Sequence, residues 1–167
     1  MKQIPIISLW QPWATAVVTA HPYRSLGGGG GILPLKQNET RCWPTDFTGR
    51  VLVHAAKKWD KKLEGIYNSW PFDEFHKQLG KLEFGCIVGA VEITRCNTSE
   101  YWIYNHSPEV ESTHEEFHMG DFSAGRYAFP LLNPIRFEES IPHKGQQGKI
   151  MKVPASILPE KYHHLFK

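Results

Sequence analysis

Lys36, Glu39, Arg41 and Trp43 bring an amine, a carboxylate, a guanidinium and an indole into the eight residues Lys36-Gln37-Asn38-Glu39-Thr40-Arg41-Cys42-Trp43. Such a set can hold an anion, exchange a proton and stack on a flat ring. If residues 39 to 43 are extended, side chains two apart share a face, so Glu39, Arg41 and Trp43 point one way and Thr40 and Cys42 the other. Lys36 has the opposite parity and joins the set only if Gln37-Asn38 turns, which asparagine favours. The plainer reading is a strand with an exposed Glu/Arg pair worth less than ~1 kcal/mol. The surrounding elements must decide between the two.

Those elements read as a mixture of short strands and helices. Ile4 to Leu9 is an isoleucine-rich strand with Pro5 near its start, where a missing donor is tolerated. Gln11 to Ala20 switches to helical spacing, with Pro12 suited to the first turn. Trp10 and Trp13 flank that start and can either border a pocket or fill the core. Val51 to Ala56 is a strand in which His54 shares a face with Leu52 and Ala56, so a core histidine bonded to a neighbour is expected. A helical pattern begins at Lys57 and puts Lys57, Lys58, Lys61 and Lys62 on one basic face, with Trp59 among them. A second helix is predicted over Phe72 to Leu79, closed by Gly80. Gly85 to Thr94 reads as a central strand with a bend or bulge at its glycines. Tyr127, Phe129 and Leu131 alternate as on a half-buried strand, with Pro130 at an edge or bulge, and a last strand ends near Val153.

The 167 residues suit one domain, residues 1–167, able to bury a core without metal or disulfide. No apolar run reaches the ~20 residues of a membrane span. The N-terminus lacks a secretory pattern, and the three cysteines Cys42, Cys86 and Cys96 have no C-x-x-C spacing. A cytoplasmic protein with reduced thiols and no membrane partner is expected. A net charge of +2 means that any nucleic-acid contact must rest on a local basic patch.

Two motifs are set aside. Gly27 to Gly31 lacks the Gly-Lys-Ser/Thr of a phosphate loop and reads as a flexible segment that at most orders over a ligand. His114-Glu115-Glu116-Phe117-His118 matches H-E-x-x-H formally, but Gly120 follows too soon for a long helix and no third ligand is evident. Neither a metal nor a cofactor is expected.

Five blocks in order carry a resemblance to a known family: Ile7-Ser8-Leu9-Trp10-Gln11-Pro12-Trp13-Ala14; Lys36 with Glu39-Thr40-Arg41-Cys42-Trp43-Pro44; His54-Ala55-Ala56-Lys57; Gly120-Asp121-Phe122-Ser123-Ala124-Gly125-Arg126-Tyr127; and Lys144-Gly145-Gln146-Gln147-Gly148. Together they resemble the activating-signal-cointegrator homology (ASCH) domains of the PUA-like superfamily. The resemblance implies an α+β pseudo-barrel of five to six mostly antiparallel strands with two to three flanking helices, and a cleft beside the Lys-x-x-Glu-x-Arg segment. It implies binding of RNA, single-stranded DNA or a nucleotide by Trp13, Lys36, Arg41, Trp43, Lys57 and Arg126. Some relatives are hydrolases acting on acetylated cytidine or on RNA, which makes Lys36 and Glu39 the catalytic candidates. Lys36 matches the nucleophilic lysine of the amidohydrolase relatives, Glu39 stands where those carry threonine, and Asp121 is a candidate acid/base.

Overall fold

The computed structural model describes residues 1–26, 28–106, 111–145 and 148–167. Gly27 of the polyglycine run and Gln146 and Gln147 of the fifth block lie outside the described residues. The chain runs β1 (Gln3–Leu9), α1 (Trp13–Val18), β2 (Asn38–Arg41), β3 (Gly49–Ala55), α2 (Lys61–Tyr67), a 3-10 turn Phe72–Phe75 leading into α3 (His76–Leu79), β4 (Cys86–Ile93), β5 (Asn97–Thr98), α4 (Ser99–Asn105), α5 (Glu111–Met119), β6 (Tyr127–Pro142) and β7 (Met151–Pro154), with 3-10 turns after it.

The class is α+β, as expected, but the sheet is larger and open. Seven strands lie in the order β2-β6-β4-β3-β1-β7, with β5 paired to the start of β6 on the edge opposite β2. Only β1 and β3 run parallel, while the remaining pairs are antiparallel. The two ends of that order, β2 and β7, do not pair with each other, so the sheet is not closed into a barrel. Five α-helices among the described residues replace the expected two or three. No helix among them is long and apolar enough to cross a membrane.

Local chemistry explains these boundaries. Pro5 has no N–H to give, and the β1–β3 ladder begins just after it, at Ile6 opposite Leu52. Gln11 works as a cap for α1: its Oε1 accepts from the Thr15 amide at 3.0 Å and its Nε2 donates to Thr15 Oγ1 at 2.8 Å. The helical pattern expected from Lys57 instead starts at Lys61, because Asp60 accepts from the Leu63 amide at 2.9 Å and fixes the N-cap there. Lys57 and Lys58 therefore precede the helix, and the four lysines do not share one helical face.

Val17 and Val18 of α1 pack into a core with Val51 and Val53 of β3, Val88 and Val91 of β4, and Phe129 and Leu131 of β6. The bulge expected in the Gly85 to Thr94 strand is present: the pairing of β4 with β6 shifts between Ile87 and Gly89. A Cβ at position 89 would sit 2.1 Å from the Ile135 carbonyl oxygen, so only glycine fits that approach.

His54 is buried, as expected of a core histidine. Its Nε2 lies 2.7 Å from the His143 carbonyl and its Nδ1 3.1 Å from Ser8 Oγ, which makes Nε2–H the donor and leaves Nδ1 to accept the Ser8 hydroxyl proton. Burial depresses its pKa below the ordinary 6.5; the His143 carbonyl opposes this and the His143 ring, 6.0 Å away, adds to it. The unfolded chain then binds a proton more readily than the folded one. His54 thus contributes stability that is complete above about pH 6.5 and is lost as the pH falls from there through the depressed folded value. Urea unfolding between about pH 7 and 5 should show stability declining on acidification, with a shallower decline in His54→Gln.

Candidate functional site

β2 is the shortest of the site-forming strands and is held on its β6 side by four residue pairs, Glu39 opposite Phe129 and Arg41 opposite Tyr127 among them. Its burial alternates: Asn38 and Thr40 are covered while Glu39 and Arg41 are half-buried, so the acid and the guanidinium share a face as their parity requires. The strand ends at Arg41. Trp43 lies beyond it, packed 5.4 Å from Phe129 with the Arg41 guanidinium 5.7 Å from its own ring centroid. Trp43 is an apolar buttress behind Arg41.

Lys36 joins the set without the expected turn at Gln37-Asn38: Asn38 already opens β2, and the chain bends one step earlier, at Leu35 and Lys36. The Lys36 amide donates to the Ala16 carbonyl at the end of α1, and its side chain is only 2% exposed. Nζ donates to the Asn38 carbonyl and lies 4.0 Å from Glu116 Oε1. Glu116, on α5, accepts from the Gln37 amide through Oε2 at 2.8 Å and from the Asn38 amide through Oε1 at 2.7 Å. One carboxylate therefore both faces the buried ammonium and caps the backbone on which Glu39 and Arg41 are mounted. Burial pushes the Glu116 carboxyl above the usual carboxylate range, against the pull of the Lys36 charge and the two amides.

Lys36, Glu39 and Arg41 line a cavity of about 300 Å³. Its other walls include Trp10 and Trp13 from the β1–α1 junction, Ser8 and Leu9, and Gly120, Asp121 and Arg126 from the α5–β6 connection. Arg41 is aimed by a bond from its terminal nitrogen to the Ser8 carbonyl at 2.8 Å. Trp13 is anchored by its ring N–H on the Met119 carbonyl at 2.5 Å and by an edge contact with Phe72. Trp10 is 38% exposed, with Lys58 Nζ 3.7 Å from its ring centroid.

Glu39 is the most unusual member. Its Oε1 accepts from the Thr40 amide at 3.1 Å and lies 3.4 Å from Arg41 Nε, without hydrogen-bond alignment to that nitrogen. Its Oε2 and Arg41 Nε are both buried with no hydrogen-bond partner among the described residues. An unpaired buried polar atom costs about 1–3 kcal/mol. Across the cavity, the Arg126 guanidinium donates from Nε to the Asp121 carbonyl at 3.0 Å and from its terminal nitrogen to the Thr40 carbonyl at 3.2 Å. Hydrogen bonds from the Ser123 hydroxyl and amide hold the Asp121 carboxyl below its usual range, so it stands ionised at the rim.

Of the residues expected in the site, Trp13, Lys36, Glu39, Arg41, Asp121 and Arg126 meet at this cavity. Trp43 and Lys57 do not line it; the Lys57 stem lies against Gly85 and its side chain is exposed. Residues 28–31 do not line it either, and the end of that run is held at Asn133, which bonds to the Ile32 backbone in both directions. Glu116 was missed: within its sequence it belongs to the set-aside H-E-x-x-H. In the structure the His114 and His118 rings lie 5.3 and 5.5 Å from that of Trp70, while Glu115 pairs instead with His21 and Arg24. Among the described residues no group of three or more His, Cys, Asp or Glu side chains is placed to hold a metal ion. No family model matches this chain, and no curated protein sequence matches it.

Proposed function

We propose that this chain binds an unpaired nucleotide of RNA or single-stranded DNA in the cavity, as an ASCH-like domain related to the PUA-like folds. The observation that carries the reading is a cavity lined at once by two indoles, Trp10 and Trp13, a carboxylate, Glu39, and two guanidiniums, Arg41 and Arg126. At about 300 Å³ the space is at the small end of ligand pockets, which suits a base or nucleoside and excludes a duplex. Bases that carry an exocyclic amino group bring a donor suited to the Glu39 carboxylate at the cavity wall, as carboxylates accept from cytosine N4. The indoles offer flat surfaces to a base, and Arg41 and Arg126 offer planar donor forks to phosphate.

Fluorescence-polarisation titration with single-stranded RNA and DNA, repeated over a salt series, tests the reading. Binding that weakens with salt is expected, and Arg41→Ala should weaken it about 10- to 100-fold, the worth of a charged hydrogen bond. Absence of binding by the wild-type chain even at low salt would overturn the reading.

A second reading, hydrolysis of a modified nucleoside or RNA, is supported by one observation: Lys36, Glu39 and Asp121 border the same space. Lys36 would be nucleophile or base and Glu39 acid/base. A nucleophilic lysine must give up a proton, whereas Lys36 donates to the Asn38 carbonyl and faces Glu116. Binding is therefore the primary reading. Mass spectrometry after incubation with acetylated cytidine and with short RNAs decides the matter, and unaltered products would dispose of the hydrolase.

A further inference from the structure

Beside the cavity lies a surface whose composition the fold itself does not explain. Trp59 and Phe84 are 37% and 38% exposed, with ring centroids 5.5 Å apart at a steep angle. Tyr67 continues from Trp59 at 6.1 Å. Neither Trp59 nor Phe84 belongs to a hydrophobic core cluster of the chain. Adjoining exposed aromatic rings of this size mark interaction sites.

The patch is joined to the cavity. Trp10 and Ala56 line the cavity, Lys58 sits over the Trp10 ring, and the next residue is Trp59. On the other side, the Lys57 stem lies against Gly85, the neighbour of Phe84. The charge along this path is also uneven. Residues 57–64 hold four lysines against Asp60 and Glu64, an excess of two that equals the net charge of the entire chain. Of the two acids, Asp60 is engaged in capping α2 and lies 4.0 Å from Lys58. A polyanion that also carries flat rings complements such a surface, since stacking and phosphate contacts are the two terms of single-strand binding.

We propose that the cavity is the end of a single-strand track: one nucleotide enters it past Trp10, and the following bases stack on Trp59 and Phe84 while Lys57, Lys58, Lys61 and Lys62 contact the backbone phosphates. The proposal rests on the nucleotide reading of the cavity and adds to it a second surface, outside the cavity, that holds the nucleotides following the bound one.

The test compares a mononucleotide with a homo-oligonucleotide of about eight nucleotides by calorimetry and fluorescence polarisation, using wild type, Trp59→Ala, Phe84→Ala and Lys62→Ala. The wild type should bind the oligomer more tightly than the mononucleotide. Trp59→Ala and Phe84→Ala should each weaken oligomer binding about 5- to 30-fold and leave mononucleotide affinity unchanged. Lys62→Ala should reduce the salt slope of oligomer binding by roughly one. Both aromatic positions are exposed and outside the core, so these variants should keep wild-type unfolding midpoints. If the mononucleotide binds but the oligomer binds no tighter, or Trp59→Ala keeps the full increment, the track is refuted and the pocket stands. If neither probe binds, the nucleotide reading falls and the track falls with it. A wild-type dimer in sedimentation that Trp59→Ala dissociates would assign the surface to self-association and overturn the proposal.

Discussion

Glu116→Ala is expected to lower stability by about 3–5 kcal/mol, the usual cost of removing one member of a buried ion pair. Two effects combine. The Lys36 ammonium, 2% exposed, would lose its only facing carboxylate among the described residues, and the Gln37 and Asn38 amides would lose their acceptor. For a chain of this length the loss corresponds to a fall in Tm of about 10 °C or more. Glu116→Gln separates the two effects, because it keeps one acceptor oxygen and the side-chain volume while removing the charge. It should cost less than the alanine variant, and combining it with Lys36→Met should cost less than the sum of the single variants by about 1–3 kcal/mol. The measurement is urea unfolding at constant m-value. A Glu116→Ala protein within about 1 kcal/mol of wild type would show that α5 does not hold β2 in this way.

Glu39→Gln should redirect recognition without unfolding the chain. In the proposed complex the Glu39 carboxylate accepts from an amino group of the base, a contact worth about 1–3 kcal/mol of discrimination. The amide presents a donor or an acceptor depending on how it turns, so the preference for amino-bearing bases over uracil or thymine should shrink about 10- to 100-fold. Stability of the free protein should change little or rise slightly, since a buried unpaired carboxylate oxygen is replaced by a neutral group. Competition titrations with cytosine- and uracil-containing oligonucleotides read the preference. Equal preference in wild type and variant would remove Glu39 from base recognition, whatever Arg41 contributes.

The parts of the fold that were legible are those where one physical rule acts alone. Val51 to Ala56 and Gly85 to Thr94 were found within a residue or two because apolar runs in central strands have few alternative uses. β6 was legible at its alternating start, Tyr127, Phe129 and Leu131, although Pro130 and Pro134 fall within its sixteen residues. In the structure Pro130 ends the β2 ladder opposite Asn38, and Pro134 falls in the irregular stretch between Leu132 and Ile135, so neither proline has to donate within a ladder. α4 and α5 were not legible. α5 buries Glu115 and Glu116, so its inward face carries acids where a periodic apolar stripe is looked for. The same inversion hid Glu116 from the site. Glu39 and Arg41 could be paired from parity alone, but their meeting with Asp121 and Arg126 depends on β6 returning beside β2, which only the tertiary structure provides.

The capping of Gln37 and Asn38 by a side chain from α5 has a dynamic consequence. These two amides are protected from exchange with solvent by a helix distant in sequence and not by a neighbouring strand. Their deuterium uptake should therefore follow the docking of α5, at a free energy below that of global unfolding if α5 opens as a local unit. Two backbone positions at the start of the cavity-lining strand thus serve as an internal gauge of how often its support lets go.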